Sequence, residues 1–252
     1  MRRRVRVVRE TCLTAGDMES NLATPPVAEP APRDFPPSNW GPKGALLGAV
    51  LAIFVGLLLG LPAIAFTDAE NELTTAGNVI AQVGLVLGLL LVPFALAHSR
   101  GSKSFGESLR RLGVRRFQPS AFLWMLAALF AYLTFAALYA SLILEPEQED
   151  IADGFGPVPV QIILIVFGAA IAEEIAFRGM LFGGLRERLP RVPAALLAGT
   201  VFGLLHAFTG LSAVPPLIAL GFIFCLLYEK TGSIVPGILL HMLNNSVALA
   251  AQ

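Results

Sequence analysis

The chain is 252 residues long, 55% hydrophobic and only 14% charged, too apolar and too charge-poor for an ordinary water-soluble domain. Eighteen basic and eighteen acidic residues cancel, so no basic surplus argues for a nucleic-acid partner. Of the two cysteines, Cys12 lies in a polar tail and Cys225 in an apolar segment, which argues against a disulfide framework and gives no metal-ligand spacing.

Residues 1–42 hold no sustained apolar run and are rich in proline (Pro25, Pro26, Pro30, Pro32, Pro36, Pro37). The expectation is a disordered cytoplasmic tail. Its basic start lacks the apolar core of a signal peptide. The membrane domain is expected over 43–252, because a bilayer core of about 30 Å takes roughly 20 helical residues and seven segments approach that length. They fall near 44–66, 76–97, 119–144, 158–188, 193–209, 213–228 and 233–250, the fifth and sixth being short. The fold expected is therefore all-α, a polytopic helical membrane protein with about seven transmembrane helices around a cytoplasm-facing polar cavity.

Basic residues in short loops stay on the cytoplasmic side. The loop after the second segment holds Arg100, Lys103, Arg110, Arg111, Arg115 and Arg116, whereas those after the first and third are acidic (Asp68, Glu70, Glu72; Glu145, Glu147, Glu149, Asp150, Asp153). This predicts a multi-pass protein of the plasma membrane with its amino terminus in the cytoplasm.

The fourth segment breaks the apolar pattern with AEEIAFRG, residues 172–179. Charges at bilayer depth are expensive and mark function by default. On a helix, Glu174 and Arg178 are four apart and share a face, where they can pair. Glu173 is turned roughly 100° away with no cation on its own face, which suits a general base. Two later segments add His206, in VFGLLHAF, and His241 with Asn245, in HMLNNS, the last two again sharing a face. Counted from the cytoplasmic ends at about 1.5 Å per residue, Glu173, His206 and His241 lie roughly 22, 20 and 12 Å deep, so they can meet around one cavity.

Two chemistries suit this set. Glu173, with His206, can take a proton from a water attacking a peptide carbonyl, while His241 and Asn245 donate to the oxyanion. Alternatively Glu173, His206 and His241 form a zinc ligand set with a position open for water. Plainer readings exist for single residues: Glu174 and Arg178 as a structural ion pair, Asn245 as a bridge between helices, Cys225 as a packed hydrophobe. A transporter or inactive scaffold could use the same buried groups, although no inverted repeat supports a transporter. A zincin is excluded by the lack of HExxH. A serine enzyme built on Ser212 lacks the surrounding glycine pattern.

The order EExxxR (Glu173, Glu174, Arg178), FxxxH (Phe202, His206) and HxxxN (His241, Asn245) over residues 160–250 resembles the CPBP family of intramembrane proteases, which includes type II CAAX prenyl endopeptidases and Abi proteins. The resemblance implies an endopeptidase acting on membrane-associated or lipid-anchored proteins. It implies Glu173 with His206 as the water-activating pair and His241 with Asn245 as the oxyanion site. Members are described both as metalloproteases and as glutamate-dependent proteases, so a divalent metal stays open as a cofactor.

Overall fold

In the computed structural model the described residues are 37–144, 146 and 152–251. Among them the secondary structure is helical, apart from one isolated bridge between Thr67 and Leu73. The first 36 residues of the expected tail lie outside this range. Residues that follow are docked: Ser38 and Trp40 are buried, Trp40 Nε1 donates to the Met180 carbonyl at 2.9 Å, and Ser38 Oγ and the Asn39 amide both donate to Glu187.

Helix α1 (Gly41–Gly60) continues as a 3₁₀ turn, Leu61–Ala65, where Pro62 removes an amide donor. Helix α2 (Thr75–Ser99) starts at Thr74, whose hydroxyl caps the Gly77 amide at 3.3 Å. The two helices approach through facing Gly-xxx-Gly pairs, Gly56/Gly60 and Gly84/Gly88. A Cβ on Gly88 would lie 2.4 Å from the Ala52 carbonyl and one on Gly84 2.5 Å from the Gly60 amide. Small residues let backbones touch where lipid supplies no hydrophobic drive.

A short helix unforeseen in the sequence, α3 (Phe105–Arg111), lies in the basic loop. Ser104 caps the Glu107 amide while Glu107 reaches back to the Lys103 amide at 2.7 Å. Helix α4 (Ala121–Leu142) is the most lipid-exposed span, with 6% of its apolar window buried. It touches the rest through Ala128, packed with Leu220, Phe224, Leu227 and Leu240.

Helix α5 (Val158–Leu185) is the central one, half buried over its apolar window. It was expected as a plain helix over 158–188. It winds instead through two π-helical stretches, Ile162–Ala169 and Glu174–Phe182. Such wider turns are frequent at functional sites. Every residue from Glu174 to Leu185 is buried.

Helices α6 (Arg191–Leu205), α7 (Val214–Thr231) and α8 (Val235–Ala250) complete the fold. The sixth expected segment is longer than the sequence suggested: a 3₁₀ turn and Pro215–Pro216, seated in the first turn where proline is tolerated, extend it over Leu211–Thr231. Gly232 ends α7 in the left-handed conformation. Among the described residues five helices are long and apolar enough to cross a membrane, and α6 and α8, at 15 and 16 residues, are shorter apolar helices. The chain is thus a polytopic helical membrane protein, close to the seven-segment expectation.

Candidate active site

The second π-helical stretch opens with Glu174, which like Arg178 is fully buried. Arg178 Nη1 lies 2.9 Å from Glu174 Oε1, the four-residue pairing foreseen in the sequence. The guanidinium is sandwiched: its Cζ sits 4.5 Å from the Phe202 ring centroid and 5.2 Å from that of Phe224. Its remaining nitrogens find no oxygen acceptor among the described residues, and the two aromatic faces and the neighbouring Cys225 side chain cover it.

Helix α8 brings His241 onto this pair. His241 Nδ1 is 3.1 Å from Glu174 Oε1 and Nε2 is 3.7 Å from Glu173 Oε2. A carboxylate oxygen already paired to arginine accepts, so Nδ1 carries the hydrogen and Nε2 is directed at Glu173. The sequence offered His241 as an oxyanion donor with Asn245 and as a metal ligand with Glu173 and His206, but not as a partner of Glu174. Its bond to Glu174 was missed, and the signal lay one turn earlier: Gly237 faces the same carboxylate, and a Cβ there would stand 2.9 Å from Glu174 Oε2. Glycine at that position is what lets α8 approach α5 this closely.

Glu173 is less enclosed than Glu174, its side chain 15% exposed against 0%. Its Oε2 is a buried oxygen with no hydrogen-bond partner among the described residues. A carboxylate oxygen left open in this way is free to receive a donor from a substrate or a water.

His206 caps the end of α6, and its Nδ1 faces the Phe202 carbonyl at 2.8 Å. The carbonyl accepts, so Nδ1 carries the hydrogen and Nε2 is the lone-pair nitrogen. Its ring lies 4.7 Å from the Phe202 centroid, and the His241 ring lies 6.0 Å from the same centroid. Phe202 therefore joins the two histidines and the arginine in one packed unit.

Asn245 is half-buried, and its Nδ2 donates to the Ile165 carbonyl at 3.0 Å. That carbonyl belongs to the first π-helical stretch of α5. The helix-bridging reading of Asn245 thus holds for one amide hydrogen; the amide has a second. The structure brings Glu173, Glu174, Arg178 and His241 into direct proximity, joins His206 to them through Phe202, and anchors Asn245 to the same central helix. Phe224 and the Ile165 carbonyl are the parts that no sequence pattern announced.

Among the described residues no three of His, Cys, Asp and Glu are placed so as to hold a metal ion. His241 Nδ1 is held by Glu174 and His206 Nδ1 by a backbone carbonyl, which leaves each ring its Nε2 lone pair. Glu173, His206 and His241 thus carry donor atoms of the type a divalent metal takes, but they are not drawn together around one point here.

Comparison with known proteins adds two findings. Residues 155–247 match the family model described as type II CAAX prenyl endopeptidase Rce1-like. A Bacillus subtilis (strain 168) protein named as a membrane peptidase, YdiL, is 31% identical over 218 residues, covering 82% of this chain and 83% of its own. No solved structure matches at a significant level.

Proposed function

Because the chain belongs to the CPBP family, with its Rce1-like type II CAAX prenyl endopeptidases, we propose that it is a membrane endopeptidase in which Glu173 activates the attacking water without a metal. The observation that carries this is the placing of His241 between two carboxylates, 3.1 Å from the one tied to Arg178 and 3.7 Å from the open one.

Each group then has a role of its own. Glu173, through its open oxygen, takes a proton from water as the water attacks the scissile carbonyl, with His206 Nε2 holding that water. His241 Nε2, facing Glu173, can receive that proton and so become a donor toward the oxyanion. The second Nδ2 hydrogen of Asn245 serves the same oxygen. Collapse of the tetrahedral adduct breaks the C–N bond, and the proton returns to the leaving amine. Glu174 and Arg178 do not touch substrate in this scheme: they fix the ring of His241, as the orienting carboxylate does in a catalytic triad.

In this reading substrates are membrane-associated or lipid-anchored proteins entering from the cytoplasmic face, and the charge of the basic loop supports an amino terminus on that side. The decisive experiment compares plasma-membrane proteomes of cells carrying the wild type and Glu173→Gln, scored for new carboxyl termini. Wild-type-specific termini support a peptidase. Their absence, with the protein present and folded in the membrane, would favour a carrier or scaffold.

A further inference from the structure

We propose that the basic loop between α2 and α4 forms a binding site for the phosphate headgroup of an anionic phospholipid, separate from the candidate active site. The loop joins two helices that are each long and apolar enough to cross a membrane, so it lies at a bilayer surface whichever way the chain is oriented. There it folds into an open hollow of about 1040 Å³ whose wall carries Arg110, Arg111, Arg115 and Arg116 against one acid, Glu107.

The four arginines are not equivalent. Arg111 is committed to the fold: it pairs with Glu107 at 3.0 Å and donates to the carbonyls of Arg100 and Gly101 at 2.8 and 3.3 Å. Arg115 is half-buried and tied by Nε to the Arg110 carbonyl at 2.6 Å. Burial lowers its pKa from the usual arginine value, and the Arg110 charge adds to that while Tyr228 opposes it. Arg110 and Arg116 are exposed, Arg110 within electrostatic reach of Glu107. Arg110 and Arg116, with the part-buried Arg115, make the hollow cationic, and planar guanidinium forks match phosphate oxygens.

The surroundings favour a lipid over free phosphate. Phe117 lines the hollow and packs edge-on against Phe122 at 6.0 Å. Phe122 opens the outward face of α4, being 55% exposed beside Leu123 at 70%, and Phe105 on α3 is 68% exposed. A ligand with its charge in the hollow would have apolar side chains directly alongside for its acyl chains. Clustered basic residues next to a span attract acidic lipids by about fivefold per residue near the surface.

The test uses the full chain in nanodiscs of phosphatidylcholine with and without phosphatidylglycerol, followed by gentle release and native mass spectrometry. Wild type should retain phosphatidylglycerol in preference to phosphatidylcholine. Arg110→Gln/Arg116→Gln should weaken that retention by about 25-fold, two surface charges at about fivefold each. Arg116→Gln alone, in an exposed position that threatens no packing, should lose about fivefold. Arg100→Gln, on the same loop but outside the hollow, should lose clearly less than Arg116→Gln. Equal retention of both lipids, an undiminished double variant, or an equal loss at Arg100 would each overturn the site. Inorganic phosphate binding the wild type with no enrichment of phosphatidylglycerol would overturn the lipid as its source.

Discussion

The adjacent carboxylates Glu173 and Glu174 should separate cleanly into one for chemistry and one for architecture. Glu174→Gln removes charge from a side chain that is 0% exposed, 2.9 Å from an equally buried guanidinium. Breaking such a pair from one side costs about 3–5 kcal/mol because the survivor is left uncompensated. The rings of Phe202 and Phe224 over Arg178 retain part of its stabilisation, which points to the lower end, about 3 kcal/mol. Glu173→Gln alters a side chain that is 15% exposed and lies 3.7 Å from the His241 imidazole, so its stability cost should stay within about 1 kcal/mol. Reversible denaturant titration in micelles would read both. Cleavage of a fluorogenic membrane peptide should be abolished in Glu173→Gln and reduced on the order of 10⁴-fold in Glu174→Gln, the scale seen when an orienting carboxylate is lost from a triad. Replacing both partners, Glu174→Met with Arg178→Met, should recover most of the stability, since apolar groups of similar volume serve as well as a buried ion pair. It should recover none of the activity, because His241 Nδ1 would still lack its acceptor. A Glu174→Gln protein as stable as wild type, or a double replacement that cleaves, would refute this division of roles.

Other substitutions probe the remaining contacts. His206→Ala and His241→Ala should each abolish cleavage with the protein still in the membrane, and activity surviving in either would remove that residue from the mechanism. Asn245→Ala should lower kcat by about 10²–10³-fold with KM little changed; a change confined to KM would count against an oxyanion role. Gly237→Ala places a Cβ 2.9 Å from Glu174 Oε2, so it should destabilise by about 1–3 kcal/mol and depress kcat, which a paired stability and turnover measurement would check. Cleavage should persist after dialysis against a strong chelator; loss that zinc alone restores would replace the metal-free scheme with a metal-dependent one.

Hydropathy and short spacings were enough to locate the spans and to single out Glu173, Glu174, Arg178, His206, His241 and Asn245, because a charge or an amide inside an apolar run is visible without coordinates. Spacing also anticipated the Glu174–Arg178 pair, a contact within one helix. Contacts between helices were not legible. That Gly237 lets α8 lie against Glu174, that Phe202 joins both histidines to Arg178, and that α5 turns the Ile165 carbonyl toward Asn245 all depend on how helices pack and where one departs from regular winding. The 3.6-residue period assumed for α5 hid its π-helical stretches, since a local pattern does not encode a wider turn stabilised by neighbours. Likewise Ser38 and Trp40 belong to a proline-rich stretch that composition assigns to the tail, yet both are buried through partners about 140 or more residues away. Sequence by itself determined the membrane class and the chemical groups available, because those follow from transfer energies and spacing along one helix. Tertiary structure alone decided which nitrogen of each histidine meets which oxygen, because that depends on the packing of separate helices around α5.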